Sequence, residues 1–458
     1  GPRNEKRKRV VRHSFRRCLD SAGCVDGVQC DPDASLMSRL QYRRITRSSG
    51  RPAETTRYRN PRQSALLALF STFLAAACTG TQGDAAEQSV SAISLDIRPG
   101  IEVLLDDSLH LVQGLRIGLV TNHTGIDRAG RTDIDLLAKH EGIDLVALYS
   151  PEHGIRGEER AGAAIESGVD EQTGLPIHSL YGETRKPTAA MLEGVDMLLF
   201  DMQDIGARYY TYVSTMALTM EAAGEHGIPF VVLDRPNPIR GDVVQGTVLD
   251  PEYSTFVGMY PVPMRHGMTP GELARMYVGA FGIQADLIVV PVHGWTRDVI
   301  FDDTGLPWVP PSPNIPTVAS ALAYPGTCLF EGTPLSVGRG TDRAFQWIGA
   351  PWLDGNALAA ALNLYEIEGV HFEGVRFTPT NAGDGKFEGE EVGGVMLVPE
   401  STDYDASAAA VAMLVETYRV SGDRWSWFVA HFDRLAGTDA LRLGIESGAG
   451  FETLTAGW

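Results

Sequence analysis

Four apolar runs, each stopping on a polar or charged residue, constrain this chain more than anything else in it. They are Arg116 to Asn122, Asp144 to Ser150, Val195 to Asp201 and Pro229 to Asp234. Short apolar runs alternating with helical stretches predict a parallel sheet covered on both faces. Such sheets bind ligands in the crevice beyond the carboxyl ends of their strands. Asn122, Glu152, His153, Asp201, Asp204 and Asp234 all lie at or just past strand ends, so the pattern predicts that they converge on one rim.

Charge is unevenly placed. Residues 1–62 carry 16 Lys+Arg against 6 Asp+Glu, leaving 23 against 52 in the rest of the chain. An acidic body of that kind repels nucleic acid and anionic bilayers, so any anionic ligand must be held by a few local cations. Residues 1–62 show no apolar periodicity and read as a basic disordered or non-native upstream segment, with Met37 the expected translation start. Cys18, Cys24 and Cys30 fall there, at spacings unlike those of a zinc site.

Residues 63–94 read as an export signal, a lipidation site and a tether. The apolar stretch Ser64 to Ala77 follows Arg57, Arg59 and Arg62 and is too short to span a bilayer as a mature helix. Leu74 to Cys78 is similar to a lipoprotein processing box. Membrane attachment is therefore expected only through a lipid on Cys78, in an exported protein that is periplasmic or membrane-anchored. Cys328 reads as a small buried hydrophobe.

Two domains are expected beyond the tether. Residues 95–300 predict an α/β domain with a mainly parallel sheet, including helices over Thr132 to His140 and Tyr209 to Gly224. A capped helix is predicted to open at Thr269-Pro270-Gly271-Glu272. Residues 301–458 predict a rigid Pro-rich crossover and a smaller α+β domain. Its strands are expected at Val370 to Thr378 and Gly394 to Pro399, and its helices at Asn356 to Glu366 and Ala406 to Tyr418. The cleft between the two domains is the expected site.

Three clusters carry candidate chemistry. Ser150 to Gly157 packs Glu152, His153 and Arg156 into one strand-end turn, where a carboxyl raised by burial can serve as a general acid. The plainer reading is a structural turn with Arg156 paired to Glu152. Asp201 to Tyr210 adds Asp201, Asp204, Arg208 and Tyr210; Asp204 is equally suited to capping the next helix. Asp234, His266, and the loop holding Glu331 and Arg339 complete the set, Arg339 being placed to take a carboxylate in bidentate fashion. The sequence lacks a phosphate-loop pattern and a Gly-x-Ser-x-Gly elbow, and its histidines do not show metal-ligand spacing, so neither cofactor nor metal is expected.

The blocks around Asn122, Ser150 to Gly157, Leu180 to Gly182, Asp201 to Tyr212, Leu233 to Pro238, Arg265 to Thr269, Pro310 to Pro316 and Tyr324 to Thr333 resemble, in order, the exo-beta-N-acetylmuramidase family. The resemblance covers roughly residues 95–455. It implies a Rossmann-like domain, a smaller C-terminal domain, and release of N-acetylmuramic acid (MurNAc) from the non-reducing end of peptidoglycan fragments during wall turnover. MurNAc disaccharides and muropeptides are the implied partners.

Glycosidic cleavage usually needs two carboxyl groups. Glu152 is the expected acid/base and Glu331 its partner, with Asp201 or Asp204 as substitutes. Retention and inversion both stay open. Arg156, Arg208 or Arg339 would meet the lactyl carboxylate of MurNAc, Tyr181 and Tyr210 would stack on the sugar, and His153 and Asn122 would bond its polar groups. The alternatives are a non-catalytic muropeptide-binding lipoprotein and a metal-dependent hydrolase.

Overall fold

Alternation of apolar residues sets the layers of the sheet. The computed structural model describes residues 95–157 and 162–458, so the export stretch, Cys78 and the three N-terminal cysteines lie outside the described residues. The strands are β1 (Arg116–Thr121), β2 (Asp144–Ser150), β3 (Gly168–Val169), β4 (Pro176–Ser179), β5 (Met197–Asp201), β6 (Phe230–Leu233), β7 (Gln245–Val248), β8 (Pro263–Arg265), β9 (Leu287–Val290), β10 (Trp347–Ala350), β11 (Val370–Phe377) and β12 (Val392–Pro399). Seven of them form one sheet in the order β3-β4-β2-β1-β5-β6-β9, parallel except for the β3–β4 pair. Within β1, Ile117 and Leu119 join one core and Val120 the other, as a period of two requires.

Helices cover both faces. The helices of the chain include α1 (Gly100–Asp107), α2 (Asp133–Ala138), α3 (Tyr212–His226), α4 (Pro270–Gly279), α5 (Val318–Thr327), α6 (Gly355–Leu362), α7 (Ala406–Ser421) and α8 (Val429–Ala436). Ile101 and Leu104 of α1 and Ile134 and Leu137 of α2 meet Ile117, Leu119 and Leu199 on one face. On the other, Met216 and Met220 of α3 and Leu273 of α4 meet Phe200, Phe230 and Val232. Helix α3 begins at Tyr212, three residues later than its periodicity predicts, because Arg208 and Tyr210 are bonded into a turn: Arg208 N donates to Met264 O at 2.9 Å and Tyr210 N to Ala207 O at 3.0 Å. The predicted capping box at α4 is present, with Thr269 Oγ1 accepting from Glu272 N at 3.2 Å and Glu272 Oε2 accepting from Thr269 N at 3.0 Å.

Strand order reverses between β1 and β5, the place where a doubly wound sheet leaves its ligand crevice. Here the Pro-rich crossover fills that crevice. Tyr212 Oη donates to Pro311 O at 2.6 Å, and His123 Nε2 meets Pro310 O at 2.8 Å. Pro307 and Trp308 lie against Thr124, Gln203 and Arg235. Proline has no N–H, so the crossover offers carbonyl acceptors and the rim supplies the donors.

Past the crossover, β10, β12 and β11 form an antiparallel sheet in that order, covered by α6, against which α7 packs. One hydrophobic core runs from Phe200 and Phe230 of the large sheet to Val395 and Leu397 of the small one. Arg208 pins the two regions together. Its Nη1 donates to Thr247 O at 2.5 Å and Val262 O at 3.0 Å, and its Nη2 to Leu435 O of α8 at 2.8 Å. Gly437, which ends α8 at φ 73°, packs so close to this guanidinium that a Cβ would stand 2.8 Å from Arg208 Nη2. Burial pulls the guanidinium down to about 10.

Replacing Arg208 strands three buried carbonyls, a loss of about 3–5 kcal/mol. Arg208→Met should lower the urea midpoint sharply, whereas Arg376→Ala, which breaks an exposed pair with Glu391, should leave it unmoved.

Candidate active site

The chain turns sharply as it leaves β2, and that turn presents Glu152. His153 and Gly154 both take left-handed φ values, 72° and 76°, which reverse the backbone within two residues. Glu152 is half-buried and held from two sides: Oε1 accepts from Gly162 N at 2.8 Å and Oε2 from Thr211 Oγ1 at 2.7 Å. Because β4 pairs in parallel with β2, with Ser150 opposite Ser179, the residue two beyond β4 lands beside the residue two beyond β2. That residue is Tyr181. Burial and the facing Glu152 carboxylate push its phenol up to about 12.

The facing wall comes from the C-terminal region. A 3₁₀ turn, Cys328–Gly332, follows α5 and carries Glu331; Arg339 Nε donates to its Oε1 at 3.0 Å, and Arg339 Nη2 bonds the same oxygen. His431 of α8 brings Nε2 to 3.9 Å from Glu331 Oε2. Arg434 Nη2 lies within hydrogen-bond reach of His431 Nδ1, and burial, with Arg434 beside it, pulls the imidazole below its ordinary value. Lys386 Nζ donates to Leu335 O at 2.9 Å and Phe330 O at 3.2 Å, fixing the loop that holds Glu331; burial pulls this amine down to about 8.

Glu152, Asn314, Glu331, Arg339, Lys386 and His431 line one open cleft of about 750 Å³. Burial works to raise the Glu331 carboxyl, but Arg339, with His431 and Lys386 behind it, outweighs that and holds it below its ordinary value. Glu331 is thus held as a carboxylate by its cationic neighbours. The wall around it is cationic within an otherwise acidic protein.

Most of the other sequence-predicted residues do not line this cleft, although Tyr210 lies near enough to Glu152 to feel its charge. Asp201 is fully buried, its Oδ1 bonded to Arg235 Nε, and its backbone oxygen accepts from Thr121 Oγ1 at 2.9 Å. Asn122 Oδ1 accepts from Thr124 N at 2.9 Å and Thr124 Oγ1 at 2.6 Å. Asp204 Oδ2 accepts from Gly206 N at 2.7 Å and stands 3.3 Å from His266 Nε2. Asp234 receives Gly271 N and Thr269 Oγ1, both at 2.8 Å, at the start of α4, and burial pushes it up to about 6.

Arg156 does not pair with Glu152. Its Nη2 donates to Asp170 Oδ1 at 2.7 Å. Arg208 is spent on the three carbonyls described above. His153 is buried in its turn, and Tyr210 stands edge-on to Tyr212 with ring centroids 4.9 Å apart. Among the described residues, no three His, Cys, Asp or Glu side chains gather where a metal ion would fit.

Sequence reasoning missed Lys386, His431, Arg434 and Asn314. Lys386 closes a Gly-rich loop, Asn381 to Lys386, and His431 follows the aromatic run Trp425 to Phe428. Both are unusual local compositions that mark a loop built for contact.

An α/β chain with helices on both faces of its sheet and a carboxylate on each wall of a polar cleft has the build of a carbohydrate-cleaving protein. Comparison with known proteins is more specific. Residues 117–319 match "Exo-beta-N-acetylmuramidase NamZ, N-terminal" and residues 322–458 match "Exo-beta-N-acetylmuramidase NamZ, C-terminal". The chain belongs to the NamZ exo-beta-N-acetylmuramidase family.

It is 45% identical over 360 residues to the peptidoglycan beta-N-acetylmuramidase NamZ of Bacillus subtilis (strain 168), covering 78% of this chain and 86% of that protein. Two crystal structures of DUF1343 family proteins from Bacteroides fragilis NCTC 9343 share the fold. BF0371 has TM-score 0.72 and 37% identity over 77% of this chain and 92% of its own; BF0379 has TM-score 0.63 and 34% identity over 79% and 94%.

The Glu331–Arg339 pair generates a pH prediction. A carboxyl lowered by folding adds stability above its unfolded value, about 4.3, and that stability is lost as pH falls through the lower folded value. In Arg339→Met, burial is opposed only by His431 and Lys386, and the Glu331 carboxyl should rise relative to the wild type. A carboxyl ¹³C titration, assigned by difference against Glu331→Gln, reads that shift directly.

Proposed function

We propose that this protein is an exo-acting glycoside hydrolase that releases MurNAc from the non-reducing end of peptidoglycan fragments, in cell-wall turnover and recycling. The observation that carries the reading is the presence of Glu152 and Glu331, 179 positions apart in sequence, in the lining of one cleft. Family membership and the activity named for the Bacillus relative support it.

Glu152 moves the proton at the glycosidic oxygen, and Glu331, kept ionised by Arg339, offsets the positive charge that develops on the sugar ring. Asp201 is not needed, since its carboxylate is bonded to Arg235 outside the cleft lining. Arg339, Lys386 and His431 make the wall suited to the lactyl carboxylate of MurNAc. Tyr181 and Thr211 hold Glu152 in place.

Glu152→Gln should fold as the wild type does yet lose at least about 10²-fold in turnover of MurNAc-GlcNAc, followed as free MurNAc. Full activity in that variant removes Glu152 from the chemistry. Tight binding of the disaccharide by the wild-type protein without release of MurNAc would favour a binding lipoprotein instead. Activity lost to a chelator and restored by one divalent ion would favour a metal-dependent hydrolase.

The proposed location is outside the cytoplasmic membrane, with the chain tethered by lipid at Cys78 and its catalytic regions meeting near residue 300. Supporting this are the apolar stretch Ser64 to Ala77 and the cysteine that follows it. Cells fed labelled palmitate should label the wild-type chain and not Cys78→Ser.

A further inference from the structure

One wall of the cleft ends in an aromatic ring that the chemistry above does not use. Phe428 lines the cleft yet is 46% exposed, an unusual position for a phenyl ring among polar neighbours. Chain slack does not account for it. Phe428 N donates to Gly332 O at 2.9 Å, tying the residue to the turn that carries Glu331. The preceding Trp427 is packed inward, stacked on Tyr418 at 6.0 Å and 22° and edge-on to Phe432 at 4.6 Å. Trp425 meets Trp427 at 5.0 Å. The segment thus packs two half-buried indoles against the core and holds one phenyl ring out.

The surroundings of the ring define what it suits. Lys386 Nζ stands 5.7 Å from its centroid, and Glu331, Asn381, Asp384 and His431 line the same space. A flat apolar face bordered by hydrogen-bonding groups matches a pyranose, whose axial C–H groups form an apolar face and whose hydroxyl and acetamido groups project around its edge. The exposure of Phe428 places it nearer solvent than Glu331, whose side chain is 20% exposed.

We propose that Phe428 is the stacking platform for the sugar on the leaving side of the scissile bond, an N-acetylhexosamine ring that remains with the shortened fragment. This rests on the glycosidase reading, which puts the terminal residue between Glu152 and Glu331 and the rest of the glycan toward the mouth of the cleft.

The test measures binding of chitobiose to the full protein by calorimetry, with ligand-detected NMR to find which ring protons lie against it. Wild type should bind at millimolar strength, with saturation transfer strongest at the axial ring protons. Phe428→Ala should weaken binding about tenfold and Phe428→Trp restore it, while the inhibition constant for free MurNAc stays put. Equal chitobiose affinity in wild type and Phe428→Ala overturns the platform. So does an equal loss of MurNAc affinity, which marks a general distortion, or a change of oligomeric state on substitution, which assigns the ring to a second copy. If chitobiose binding depends on Phe428 but MurNAc-GlcNAc is not cleaved, the platform stands and the glycosidase reading fails.

Discussion

Filling of the switch-point crevice by the Pro-rich crossover is the constraint from which the rest of this architecture follows. A doubly wound sheet normally keeps that crevice open, and its strand-end side chains face ligand. Here Tyr212 and His123 donate to carbonyls of Pro311 and Pro310. Once sealed, the polar groups beneath turn to one another and to nearby backbone, although one oxygen of Asp201 and one of Asp204 keep no hydrogen-bond partner. Asp201 meets Arg235, Asp234 takes the start of α4, and Asn122 folds onto Thr124. A buried carboxylate without such partners would cost several kcal/mol, so each is locked into its place. The displaced site then forms at the edge of the sheet, where the turn after β2 meets the C-terminal region.

That edge is built from both ends of the chain, and the buried charges make the union rigid. Arg208 reaches carbonyls near β7, before β8 and in α8, so the helix that carries His431 is registered against the large sheet. Arg265 does similar work, donating to Thr402 O at 3.2 Å and Gln245 Oε1 at 3.2 Å, and burial pulls it down to about 10. Guanidinium groups suit this role because one planar fork spans several carbonyls without losing its charge. Positions of Glu152 and Glu331 are therefore set by backbone bonding rather than by their own contacts alone.

Much of the fold was legible because it rests on local rules. The parallel strands, the capping box at Thr269 and the small-domain elements announce themselves by period, cap and turn chemistry. Glu152, Glu331 and Arg339 were legible as candidates for the same reason, each lying in a turn or Gly-rich loop rich in functional groups. What sequence did not reveal was which strand-end residues stay open to solvent. Asp201, Asp234 and Asn122 look equivalent to Glu152 as strand-end polar groups, and only the crossover, a long-range contact, separates them. Lys386 and His431 were missed because they reach the cleft from segments more than 50 residues beyond Glu331. The plainer alternative, Arg156 paired with Glu152, was not met, since its partner Asp170 comes back through a strand of two residues.

The sealed crevice also bears on traffic through the groove. A joint packed with prolines, Trp308 and tyrosines gives no hinge about which the halves can swing, so substrate entry and product escape must run along a static channel. A sugar entering that channel and one leaving it pass the same wall, lined by Glu331, Lys386 and Phe428.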